Sequence, residues 1–94
     1  MKVILDIAIV LKGKHVYKML RKVILTDLFP IPGIRIEDPA WKDSKIPTSI
    51  VCNFTEKYYL VNFENVKLDS EQYCDQEVEM YKLHGWKPPN EWPR

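Results

Sequence analysis

Glycine, cysteine and net charge are all scarce in this chain of 94 residues, and each scarcity removes a class of protein. Three glycines are too few for a phosphate-cradling loop, and Gly13, Gly33 and Gly85 each stand where a turn or a helix end accounts for them. The two cysteines, Cys52 and Cys74, are too few and too far apart for a secreted disulfide framework or a four-ligand zinc site, so both are read as reduced thiols. With 14 Lys and Arg against 13 Asp and Glu, the net charge of +1 exerts no global pull toward nucleic acid or an anionic membrane. A long apolar run is also lacking. The opening MKVILDIAIVLKG is broken by Asp6, has no small-residue cleavage site and is too short to cross a bilayer. Neither a signal peptide nor a membrane partner is expected, and the cytoplasm is the default location. No internal repeat or low-complexity run is present.

What the chain does have is apolar content. At 46% hydrophobic residues it can offset its ordering entropy without disulfides or metal, within the size of a single domain. The expected boundaries are a globular body over 1–85 and an extended tail over 86–94, in which Trp86 and Trp92 are the only anchors among prolines.

Period-two patterning dominates the N-terminal two thirds. Val3, Leu5, Ile7, Ile9 and Leu11 alternate with Ile4, Asp6, Ala8 and Val10, so both faces are largely apolar, as suits a strand in the middle of a sheet. Gly13 provides a turn, and His15 to Thr26 reads as the return strand. Wound as a helix, the same stretch would gather Lys14, Lys18, Arg21 and Lys22 on one side; its Val, Ile, Tyr and Thr content favours strand. Phe29-Pro30-Ile31-Pro32-Gly33 excludes helix and ends in a tight turn, after which Ile34 to Glu37 reads as a short strand. A loop carrying Trp41 follows. Thr48 to Phe54 and Tyr58 to Val66 form the clearest hairpin, with Ile50, Cys52, Phe54, Tyr59, Val61 and Phe63 as expected core.

After Asp69 the period changes. Asp69 and Gln72 have the form of a capping box, and a helix over Ser70–His84 places Tyr73, Cys74, Glu77, Val78, Met80, Tyr81 and His84 in one sector, with Glu71, Asp75 and Glu79 opposite. Gly85 and Pro88-Pro89 end it. Four or five strands followed by one helix predict an α+β fold: a mainly antiparallel sheet, or a partly open barrel, with one C-terminal amphipathic helix packed on it.

No catalytic constellation, metal site or cofactor motif is found, which weighs against an enzyme. His15, Cys52, Cys74 and His84 show no ligand spacing. The charge is nevertheless uneven: residues 1–25 carry six Lys or Arg against Asp6, whereas 64–79 carry six Asp or Glu against Lys67. The leading expectation is a non-catalytic protein-interaction module. Its partner-binding residues would be Lys14, Lys18, Arg21 and Lys22, the helix stripe Glu71, Asp75 and Glu79, and Trp86 and Trp92. A second expectation is nucleic-acid binding through the basic first hairpin. A third is a small enzyme or ligand carrier built on Glu77, His84 and Tyr73. Pairing of sheet edges into a homodimer is also anticipated for so small a sheet.

Overall fold

The long first strand organises everything else. In the computed structural model, which describes residues 1–93, β1 (Lys2–Leu11) pairs antiparallel with β2 (Val16–Leu25) through the turn at Gly13, whose φ of +77° is costly for any residue with a Cβ. Its other edge is shared by two strands in succession. β4 (Tyr58–Asn62) runs parallel to residues 2–6, and β5 (Val66–Leu68) runs parallel to residues 9–11. β3 (Ser49–Asn53) pairs antiparallel with β4 and closes the order β2-β1-β4-β3 at an edge. The result is an open mixed sheet of five strands with one helix on it, an α+β fold.

Several local expectations are corrected. The second hairpin arm is not continuous to Val66: the chain breaks after Asn62, and the Phe63 amide donates to Asp6 O at 3.1 Å, before β5 resumes beside the far end of β1. Ile34 to Glu37 is not a strand; only Ile36 pairs, with Lys45 across the loop. Phe54 is 84% exposed because β3 ends at Asn53, whose Oδ1 accepts from Glu56 N and turns the chain.

The helix α1 (Glu71–Leu83) is capped by Ser70, one residue later than the box expected at Asp69: Ser70 Oγ accepts from Tyr73 N at 3.2 Å. Asp69 instead lies 3.7 Å from Lys12 Nζ. The buried stripe is narrow, consisting of Cys74, Val78 and Tyr81, so Tyr73 and His84 fall outside it and are exposed. At the C-terminus Gly85 takes a φ of +89°, the left-handed conformation that lets the chain reverse onto the sheet.

The core lies between the odd-numbered face of β1 and the helix. Val3, Leu5, Ile7, Ile9 and Leu11 meet Leu20, Val61, Phe63, Cys74, Val78 and Tyr81 there. Trp86, expected in an extended tail, is fully buried among them. Its ring centre lies 5.2 Å from that of Tyr81, edge-on, and 5.8 Å from that of Trp41, which stacks edge-on against Phe63 at 4.8 Å. Trp41 Nε1 donates to the Tyr81 hydroxyl at 2.9 Å.

A carboxylate ties this aromatic layer to the sheet. Asp38 accepts from Lys22 Nζ at 2.6 Å, Ala40 N at 2.9 Å and Trp86 Nε1 at 3.0 Å, while its side chain is 4% exposed. Burial pushes its carboxyl up, but the hydrogen bonds from Lys22, Trp86 and Ala40, with the Lys22 charge, outweigh burial and hold it below the ordinary carboxylate value. We expect Asp38→Ala to cost about 3–5 kcal/mol in urea unfolding, since Lys22 and the Trp86 N–H lose their buried partner. Because the folded pKa is depressed, the contribution is complete above the unfolded value of about 4 and disappears as pH falls through the lower folded value. Asp38→Asn is therefore expected to flatten the acid limb of stability against pH.

Candidate functional site

Successive residues of a strand point to opposite faces, and in β2 this sends two neighbouring cations to two different buried carboxylates. Lys22 reaches Asp38 on the helix side. Arg21, directly across from Asp6 in the β1–β2 register, makes a two-pronged pair on the other face: Nε to Oδ1 at 2.7 Å and Nη2 to Oδ2 at 2.8 Å. Hydrogen bonding to Asp6 raises the guanidinium pKa further above its already high value. Both side chains belong to the sequence-derived basic patch, and both are consumed inside the fold. Lys12 sits beside Asp69. Among the described residues, only Lys14 and Lys18 of that patch make no ion pair.

The acidic stripe is partly consumed as well. The Tyr17 hydroxyl of β2 donates to Asp75 Oδ1, and this hydrogen bond, more than its slight burial, pushes the Tyr17 pKa up to about 12. Glu79 lies 3.8 Å from Lys82, and Glu71 occupies the first turn of α1. The basic hairpin and the acidic helix thus meet across the β2–α1 contact, where an opening of about 420 Å³ lies between Tyr17, Lys18, Asp75 and Glu79. The bond that joins them is the one from the neutral Tyr17 hydroxyl, and no ion pair crosses this contact among the described residues.

Glu77, His84 and Tyr73 are not gathered in one cavity. Glu77 is half-buried beside Tyr81 at a shallow opening under the Ala40–Lys45 loop, whereas Tyr73 and His84 face water. Burial raises Cys74, helped by the negative charges of Asp75, Glu71 and Glu77, which disfavours a thiolate there. Cys52 and Cys74 are unpaired. No group of three or more His, Cys, Asp or Glu able to hold a metal occurs among the described residues, and no helix there is long and apolar enough to cross a membrane.

Of the two tryptophans, Trp86 is unavailable to a partner because it is fully buried. Trp92 is half-buried: its Nε1 donates to Arg21 O at 2.8 Å, and Lys87 Nζ lies 4.3 Å from its ring centre. Arg21 and Lys87 also exchange backbone hydrogen bonds of 2.7 and 2.9 Å, so the chain after the helix covers the middle of the β2 edge. Between the 3₁₀ turn Pro89–Glu91 and the second face of the sheet lies a groove of about 620 Å³, lined by Ile4, Arg21, Val23, Tyr58, Leu60 and Trp92.

No protein-family model matches this chain, and neither does any curated protein or solved structure. The site must therefore be read from geometry alone, and the geometry brings forward residues that charge patterning overlooked. At the end of β2 Leu25 is 81% exposed, and in the loop that follows Leu28 is 81% exposed, Phe29 64% and Ile31 57%. Leu28 N is held by Thr26 Oγ1 at 3.1 Å, and Ile34 N by Ile31 O at 3.2 Å across a Pro32-Gly33 turn. Leu28 and Phe29 border an apolar cavity of about 290 Å³ that is also lined by Val3, Leu5, Ile24, Pro30 and Ile36. The signal in the sequence was the clustering of large apolar residues inside a proline-rich loop, where no periodicity can bury them.

The distinction between consumed and free cations is measurable. Arg21→Gln and Lys22→Gln each strand a buried carboxylate and are expected to lower stability by about 3 kcal/mol. Lys14→Glu with Lys18→Glu, at exposed unpaired positions, is expected to stay within about 0.5 kcal/mol. Urea unfolding of the three variants checks both.

Proposed function

We propose that the chain is a non-catalytic protein-interaction module that engages its partner through the apolar loop at residues 28–31. The observation that carries this reading is the concentration of exposed Leu28, Phe29 and Ile31 in one short segment, of which Leu28 and Phe29 line an apolar cavity. Contiguous exposed apolar surface of this kind marks association in soluble proteins. Pro30, Pro32 and the two turn hydrogen bonds restrain the loop before binding, which lowers the ordering cost of association. The unpaired thiols Cys52 and Cys74 suit a reducing compartment, and we place the module in the cytoplasm.

The nucleic-acid reading has less support, because Arg21 and Lys22 are committed to Asp6 and Asp38, and Lys14 and Lys18 alone make a small cationic surface. The enzyme reading built on Glu77, His84 and Tyr73 draws no support from their separate environments.

Cross-linking in extract, followed by titration of the recovered protein, tests the proposal. The double variant Leu28→Ser with Phe29→Ser is expected to weaken binding by about tenfold or more while unfolding like the wild type, since both side chains are exposed. Lys14→Glu with Lys18→Glu is expected to retain it. Unchanged affinity in the apolar variant would refute the role of this loop.

A further inference from the structure

We infer that two copies of this chain pair antiparallel through β3, joining their sheets into one ten-stranded sheet about a two-fold axis at Val51.

The two edges of the sheet are treated differently. The edge at β2 is covered in its middle by the Arg21–Lys87 backbone pair and by Trp92. β3 has β4 on one side and no strand on the other, and none of its residues makes a further backbone hydrogen bond among the described residues. Natural sheets commonly protect such an edge with a lysine, a proline or a bulge. Ser49-Ile50-Val51-Cys52-Asn53 has no charge, no proline and an unbroken register against β4, and the central Val51 is 52% exposed.

The occupant follows from what each position would face. An antiparallel pair centred on Val51 sets Val51 against itself, Ile50 against Cys52, and Ser49 against Asn53. Apolar then meets apolar and polar meets polar at all five positions, and no like charges oppose one another. Shifting the centre to Cys52 would instead set Val51 against Asn53 and Ser49 against Thr55. The neighbouring strands agree with the first register. Val23, Ile4, Leu60 and Val51 form one row across the second face of the sheet, directly above the polar row Arg21, Asp6, Asn62 and Ser49. Pairing at Val51 continues the apolar row without interruption into the partner's Val51, and the polar row passes to the partner's Asn53. Such an axis stands perpendicular to the sheet and places both helices on one side. Because the two-fold axis uses the β3 edge of both copies, this contact closes at two.

Light scattering after size exclusion and sedimentation velocity test the pairing across the micromolar range. Wild type is expected at twice the 11.2 kDa of the chain, and Val51→Lys, folded by circular dichroism, at the single mass. A wild type that stays at the single mass, one that forms larger species, or a Val51→Lys protein that remains dimeric would each overturn the inference. The register has its own test, which also serves if Val51→Lys fails to fold. In a Cys52→Ser background, Val51→Cys places two sulfurs at directly opposed positions, where Cα separations of about 4.5–5.5 Å admit a disulfide. Mild oxidation is expected to give a covalent dimer; its absence would refute pairing at Val51.

Discussion

Two consecutive cations in one strand hold this fold together. Arg21 and Lys22 point to opposite faces of the sheet, and each ends on a carboxylate with little access to water, Asp6 on one side and Asp38 on the other. A buried carboxylate without a partner is strongly destabilising, so each pair is an obligation of the structure more than a surplus of stability. Asp38 extends the obligation by also accepting from Ala40 N and Trp86 Nε1. Through that one side chain the edge strand, the long β2–β3 loop and the segment after the helix are bound to each other. Arg21 does the same for the backbone, exchanging hydrogen bonds with Lys87 and receiving the Trp92 N–H.

This constraint determines which side chains remain exposed. Several of the charges that look available along the chain are engaged: Lys22 and Arg21 turn into the fold, and Asp75 of the acidic helix accepts from the Tyr17 hydroxyl. The surplus is apolar. It gathers in the loop after β2, where prolines prevent the chain from folding its leucine and phenylalanine back into a regular element, and at the edge of β3, where Val51 has a strand on one side only. The two surfaces are independent, so a dimer through β3 would present two copies of the loop.

Much of the fold was legible in the residues. The central placement of β1 follows from apolar residues on both its faces, and the observed strand has β2 on one edge and β4 with β5 on the other. Within the 15–26 segment, Val16–Leu25 is strand, as its β-branched content favours, and not the alternative basic helix. The site was far less legible. Lys14, Lys18, Arg21 and Lys22 form a patch only as long as no carboxylate is opposite them, and Asp6 lies 15 positions from Arg21 while Asp38 lies 16 from Lys22. Nothing in composition records such distant encounters. The prolines that follow Trp86 predict an extended tail there, yet it joins the core by way of a partner 48 positions away.

By itself, then, the sequence determined the main elements, though not β5 as a separate strand: a period of two before Asp69, a helical period after it, turns at glycine and proline, and enough apolar mass for one core. Those are consequences of local backbone preference and of the side-chain spacing along a single element. Only the tertiary structure decided which charges are spent, that β1 is flanked in parallel by two separate strands, and which hydrophobic residues stay in water. The physical reason is that burial and ion pairing depend on groups far apart in the chain, whose meeting is decided by topology and not by their neighbours in sequence.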